Sequence, residues 1–189
     1  MFLLSFLFLT LKNTLKNALT VSCVRPCIND GSTDSSPDIL RKYAEQDRRI
    51  TVYSQNNRGL SSARNLGMRA AKGRYTYFID SDDWLERDAL RDLYSRAEKD
   101  QLDLLLFDAA AFADDPSLNT AVESQKNYYT RNHCYNKIYK GIDILNEMFK
   151  NDDYCACVYM MLARTDFYRK NNIKFIEKIF HEDEPFTLQ

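Results

Sequence analysis

The 189-residue sequence predicts an α/β fold, a mostly parallel sheet flanked by helices. Three observations carry this. From residue 11 to residue 107, helix-spaced and strand-like segments alternate with short connections, an order that yields a parallel sheet covered on both faces. Leu102 to Phe107 is a continuous apolar run, as a strand buried on both faces requires. Composition is that of a globular chain rather than a disordered one, with 44% hydrophobic and 28% charged residues.

Taken in order, Leu11, Leu15, Ala18 and Leu19 recur at helical spacing. Val21 to Ile28 is short and strand-like but contains Pro26, which cannot donate to a sheet ladder. The polar turn Asn29 to Ser36 follows, with Ser36 as the expected N-cap and Pro37 at the first helical position. Ile39, Leu40, Tyr43 and Ala44 line that helix, and Ile50 to Tyr53 is a β-branched strand. A second polar loop, Gln55 to Leu60, leads to a helix over about Ser61 to Lys72, with Gly73 as its C-terminal glycine. Tyr75 to Ile79 is an aromatic, β-branched strand that ends in Asp80-Ser81-Asp82-Asp83. Ala89, Leu90, Leu93, Tyr94 and Ala97 mark the next helix. Beyond Ala109 the periodicity weakens. Lys140 to Phe149 reads as a helix and Lys174 to Phe180 as a strand.

Charge and cysteine usage narrow the function. A net charge of −1, without long runs of one sign, provides no field for nucleic acid. Of five cysteines, Cys23 and Cys27 are separated by three residues and Cys155 and Cys157 by one. Neither gap is that of a zinc ribbon or a thioredoxin-type motif, and the expectation is buried thiols in a reducing cytosol. The opening MFLLSFLFLTL is apolar but too short for a membrane-spanning helix. It leaves three readings open: a signal-peptide core, a buried strand, or an abnormal reading-frame start.

Ligands of open parallel sheets sit beyond the carboxyl ends of the strands. Two acidic clusters fall there, Asp30 with Asp34, and Asp80 with Asp82 and Asp83. Hard oxygen ligands on alternate residues suit Mg²⁺ or Mn²⁺ with substrate phosphates; the same residues can instead cap helices and stay solvated. The loop Asn56 to Asn65 adds Arg58, Arg64 and a helix N-terminus, groups that favour phosphate. His181-Glu182-Asp183-Glu184 supplies carboxylates suited to general-base work.

In order and spacing, four segments resemble the signatures of family-two glycosyltransferases with the GT-A fold. They are Asn29 to Ser36, Asn57 to Gly67, Gly73-Arg74-Tyr75 through Asp80-Ser81-Asp82-Asp83-Trp84-Leu85, and His181 to Glu184. The likeness runs from about Ile28 to Phe107 and resumes at about Asn171 to Gln189. It implies a Rossmann-like nucleotide-binding half and inverting, metal-dependent transfer of a sugar from a nucleotide-diphosphate donor to an acceptor hydroxyl. The donor is expected to be a UDP-sugar and the acceptor a saccharide or lipid-linked sugar, in cell-surface polysaccharide synthesis. The resemblance assigns Asp30, Arg64 and Asp80 to the nucleotide-sugar, Asp80 and Asp82 to Mg²⁺ or Mn²⁺, and Asp183 to the base. It implies a cytoplasmic location, with association at the inner face of the plasma membrane possible but not required. A Gly-rich loop bearing Arg and Lys, expected of a nucleotidyltransferase, is absent.

The chain departs from the family at both ends. The usual first strand with its Pro-x-Tyr-Asn signature is missing, and the segment before Ile28 is short and carries Pro26. Acceptor-side helices are expected after Gln189. The expected division is an atypical segment 1–27, a nucleotide-sugar-binding core 28–108, and a partial acceptor-side region 109–189. The alternative function is a non-catalytic, truncated remnant, its sheet weakened by Pro26.

Overall fold

A computed structural model describes residues 24–113, 117, 122 and 128–189. The expected helix Leu11 to Leu19 and the apolar opening lie outside the described residues.

Strand β1 (Arg25–Asp30) pairs in parallel with β2 (Ile50–Gln55) along its whole length, from Arg25 opposite Ile50 to Asp30 opposite Gln55. It straddles the boundary expected at residue 27. Pro26 does not interrupt this ladder, contrary to expectation. The Arg25 N–H donates to Arg49 O at 2.8 Å and so points towards β2. Successive backbone groups alternate in direction, so the N–H that Pro26 lacks would face the other side.

Helix α1 (Ser36–Gln46) covers this pair by setting Leu40 against Cys27 and Ile50. Its first turn is satisfied otherwise than predicted. Ser36 lies inside the helix, and its N–H donates to Asp34 Oδ1 at 2.9 Å. That bond holds the Asp34 carboxyl below its usual range. Asp34 is therefore a capping residue. Near the other end, Asp47 faces the guanidinium groups of buried Arg25 and of Arg49, at 3.2 and 2.6 Å. Arg49, through its hydrogen bonds, is the main cause lowering the Asp47 carboxyl to about 2.

Helix α2 (Leu60–Ala70) enters the interior with its first half, where Ser61, Ser62, Ala63, Arg64 and Asn65 are all buried. It packs on β1 at Gly67, where an added Cβ would lie 3.6 Å from the Ile28 side chain. The helix ends before Lys72, and Gly73 does not adopt the left-handed conformation expected of a C-terminal glycine.

Strands β3 (Tyr75–Tyr77), β4 (Leu104–Leu106) and β5 (Met161–Arg164) form a three-stranded sheet in the order β3-β5-β4. β5 is antiparallel to both neighbours, which therefore run parallel to each other. The α/β class holds, with an antiparallel strand inserted. Helix α3 (Ala89–Lys99) buries Ala97 and sets Tyr94 edge-on to Tyr75 at 5.8 Å. Helix α4 (Gly141–Lys150) matches the segment expected to be helical. A 3₁₀ turn (Val158–Met160) leads into β5, which is followed by α5 (Thr165–Lys170). The last helix is α6 (Asp183–Thr187).

Phe78, Val158, Ala163, Tyr168, Phe175 and Phe186 centre the larger core. Phe175 stacks flat on Phe186 at 3.8 Å, with Phe78 edge-on to both. Lys174 to Phe180 is not a strand. Lys178 and His181 take positive φ values of 65° and 56°, which an extended strand cannot accommodate. Among the described residues, no helix is long and apolar enough to cross a membrane.

Candidate active site

The end of β1 begins the site. Asn29 Oδ1 accepts the Ser32 N–H at 2.9 Å and closes the turn. Gly31 sits in the left-handed region at φ 77°, with the following loop against it: a Cβ there would be 2.7 Å from Asn57 N. Both the conformation and the close approach call for glycine. Gly31→Ala is expected to cost about 1–3 kcal/mol, read as a lower urea midpoint with an unchanged slope. A midpoint equal to that of the parent would show that the loop moves freely away from the turn.

Asp30 fastens that loop. Its carboxylate accepts the Arg58 N–H at 3.0 Å, the Gly59 N–H at 2.8 Å and the Gln55 side-chain amide at 2.7 Å. A carboxylate has about four acceptor sites, so most of this one serves the protein. Gly59, at φ 86°, precedes α2, so Asp30 also sets where that helix starts.

One turn into α2, Arg64 is 3% exposed and reaches three carboxylates. Its guanidinium donates to Glu182 Oε1 at 2.9 Å, to Asp183 Oδ1 in a short contact, and to Asp80 Oδ1 at 3.3 Å. The Phe175 ring centroid lies 5.2 Å from Arg64 Cζ. Asn65 clamps Phe175 by both backbone groups: Nδ2 donates to Phe175 O and Oδ1 accepts the Phe175 N–H, each at 2.9 Å. Adjacent residues of α2 thus position the chain that leads to Asp183. Asp183 Oδ2 also accepts the Val158 N–H at 3.2 Å, which ties the base candidate to the start of β5.

One cation facing three acids leaves the cluster rich in negative charge. Burial raises the Asp183 carboxyl against the lowering pull of Arg64 and the Val158 N–H; Glu182 and Asp80 raise it further. Asp80 is raised likewise, by burial first and then by Asp82 and Glu182, with Arg64 opposing. Asp83 is pushed up to about 6 by burial and by the charges of Asp80 and Asp82.

Of the predicted residues, Arg64, Asp80 and Asp183 meet in one cluster. Asp30 adjoins it through the start of α2, and Asp82 lies exposed beside Asp80 on the turn that follows β3. Arg58 points elsewhere, pairing with Glu177 at 3.1 Å.

Comparison with known proteins gives this arrangement its family. Residues 26–175 match glycosyl transferase family 2. The chain belongs to that family. This family-2 chain is 32% identical over 163 residues to the glycosyltransferase EpsJ of Bacillus subtilis, covering 85% of the chain and 45% of EpsJ. It is 34% identical over 128 residues to the glycosyltransferase GlyA of Streptococcus pneumoniae, covering 66% of the chain and 17% of GlyA. The chain thus spans less than half the length of these relatives. Among solved structures, S. aureus TarS 1–349 superposes with a TM-score of 0.64 at 22% identity, over 86% of this chain and 44% of TarS. TarS has also been solved with UDP-GlcNAc and with UDP. A mannosyltransferase from Pyrobaculum calidifontis in complex with GDP-Man and Mn²⁺ superposes at 0.52 and 16% identity, over 92% of this chain and 45% of that one. These likenesses establish the GT-A fold.

Asp80 and Asp82 are the carboxylates of the family-2 site of the type that would hold a divalent cation. Among the described residues, no three His, Cys, Asp or Glu side chains form a ready cage. Mg²⁺ is commonly held by one or two carboxylates plus substrate phosphates and water, and the Asp80–Asp82 pair suits that role.

Two supporting residues carry no role in the sequence reading: Gln55 supports Asp30, and Asn65 holds Phe175. Asn65 lay within a recognised motif, but its role depends on a segment 110 residues away.

Proposed function

We propose that this site transfers a sugar from a UDP-sugar to an acceptor hydroxyl with inversion, with Mg²⁺ or Mn²⁺ required. The convergence of Asp80 and Asp183 on Arg64, at one edge of a GT-A fold, carries the reading. Asp183 is the general base. Its raised proton affinity makes it a stronger base than an ordinary aspartate, and Arg64 and the Val158 N–H hold its carboxylate in place. Asp80 and Asp82 would hold the metal, whose contribution when bound is to stabilise negative charge on the diphosphate. Arg64 orients Asp80 and Asp183 relative to one another, and Asp30 orders the loop at the start of α2 beside the donor. The acceptor is a saccharide or lipid-linked sugar at the cytoplasmic face of the membrane, in polysaccharide synthesis.

Donor binding is expected to depend on metal through Asp82. Titration calorimetry with UDP should show binding with Mn²⁺ that weakens about tenfold or more in Asp82→Ala, roughly the loss of one charge-assisted contact. Equal affinity with and without metal, or unchanged binding in the variant, would refute the metal assignment.

A further inference from the structure

The fold places two thiols next to the anchor of the base candidate. Cys155 and Cys157 flank Ala156, and their sulfur atoms are 3.1 Å apart. Cys157 is buried and lies 3.2 Å from the Tyr159 hydroxyl, while Cys155 is partly open to solvent. The residue after Cys157 is Val158, whose N–H donates to Asp183 Oδ2 at 3.2 Å. Val158 is fully buried in the larger core. Nothing in sugar transfer uses these sulfurs, and they lie within hydrogen-bond distance of each other.

We propose that Cys155 and Cys157 are a reversible dithiol–disulfide site whose oxidation draws the Val158 amide away from Asp183. The consequence for transfer rests on Asp183 being the base; the chemistry of the thiols does not. The oxidant is a peroxide. The Cys157 thiolate attacks one peroxide oxygen, giving a sulfenic acid and releasing hydroxide. The Cys155 sulfur then attacks the sulfenyl sulfur, the S–S bond forms, and the sulfenyl oxygen leaves as water. Two electrons pass from the sulfurs to hydrogen peroxide, and the two thiol protons end in two waters. Hydrogen bonds with Cys155 and Tyr159 favour the Cys157 thiolate and lower its thiol below the usual range, against the raising effects of burial and Asp183. This makes Cys157 the attacking sulfur.

Forming the bond shortens the sulfur separation to about 2.05 Å. With the Val158 side chain held in the core, any backbone adjustment at Cys157 turns the Cys157–Val158 peptide, which carries the N–H facing Asp183. Asp183 then loses a donor that favours its charged form and holds its carboxylate in place, so the base is less firmly positioned.

Peroxide treatment of the full chain in a Cys134→Ser background, which removes the exposed thiol, tests the site. Peptide mass spectrometry should find the 155–157 peptide lighter by two hydrogens, restored by dithiothreitol and unchanged in Cys155→Ser. Hydrogen exchange at the Val158 amide should quicken about tenfold on oxidation, and transfer should fall about tenfold, the effect of losing one hydrogen bond to a charged group. Should Cys155→Ser not fold, the dithiothreitol reversal in the parent background decides alone. Thiols that stay reduced, or a crosslink that leaves Val158 exchange unchanged, would overturn the proposal. Absence of transfer in both redox forms would count against the transferase reading, while the mass and exchange results still judge the thiol site.

Discussion

Asp183→Asn is expected to lower transfer by about 10²–10⁴-fold while leaving UDP affinity nearly unchanged. The substitution keeps the size of the side chain and an oxygen able to accept the Val158 N–H, so the local fold should persist. It removes the negative charge, and with it both the capacity to take the acceptor's proton and one charge partner of Arg64, which keeps Glu182 and Asp80. A base acts on the acceptor and not on the donor, so the loss should appear in kcat rather than in nucleotide binding. Assay of sugar transfer beside calorimetry with UDP separates the two. The parent chain should carry a second signature. Burial raises Asp183 above the ordinary carboxylate range, so it stays protonated to a higher pH. The acid limb of the rate profile should therefore lie above that of a solvated aspartate, and Asp183→Asn should abolish it. Turnover retained in Asp183→Asn but lost in Glu182→Gln would move the base to Glu182, which shares the same guanidinium.

Which features could be read from sequence follows from the range over which each is determined. Helices α1 to α4 declare themselves locally, because 3.6-residue spacing of apolar side chains is enough to find them. The Asp80 turn and the Glu182-Asp183 pair were likewise visible as acids at element ends. β5 was not. Its four residues, Met161 to Arg164, are buried almost throughout and so show no alternation, and they become a strand only by pairing with β3 and β4 on either side. Lys174 to Phe180 failed in the opposite sense. Its isoleucines and phenylalanines suit a strand, yet Asn65 ties Phe175 to α2, and the positive φ at Lys178 turns the chain towards Asp183. Pro26 was weighed as damage because the direction of its missing N–H depends on the register with β2. Asp30 and Asp34 look equivalent in sequence, but one gathers the α2 loop and the other caps α1. Residue type marked a site, whereas the partners that fix each role come from segments far apart in the chain.

Arg64→Met should destabilise the fold by about 3–5 kcal/mol near neutral pH, because it removes the cation common to three partly buried carboxylates. Methionine retains much of the side-chain volume and can still pack on Phe175, so most of the loss should be electrostatic. That makes its pH dependence decisive. Asp80 and Asp183 already bind protons more tightly in the fold than when solvated, chiefly through burial, and Arg64 opposes this. Without Arg64 their folded-state values rise further. An acid raised in the folded state destabilises it at high pH. Stability returns as pH falls through the folded value, and returns fully below the unfolded value of about 4. The deficit of Arg64→Met relative to the parent should thus be largest at pH 7.5 and smaller at pH 5, because both carboxyls are shifted upward and lose charge sooner than solvated ones as pH falls. Urea unfolding at both pH values measures it. A deficit equal at the two pH values would mean that Arg64 acts by filling space against Phe175, and a deficit growing in acid would mean that the three carboxylates are not what it serves.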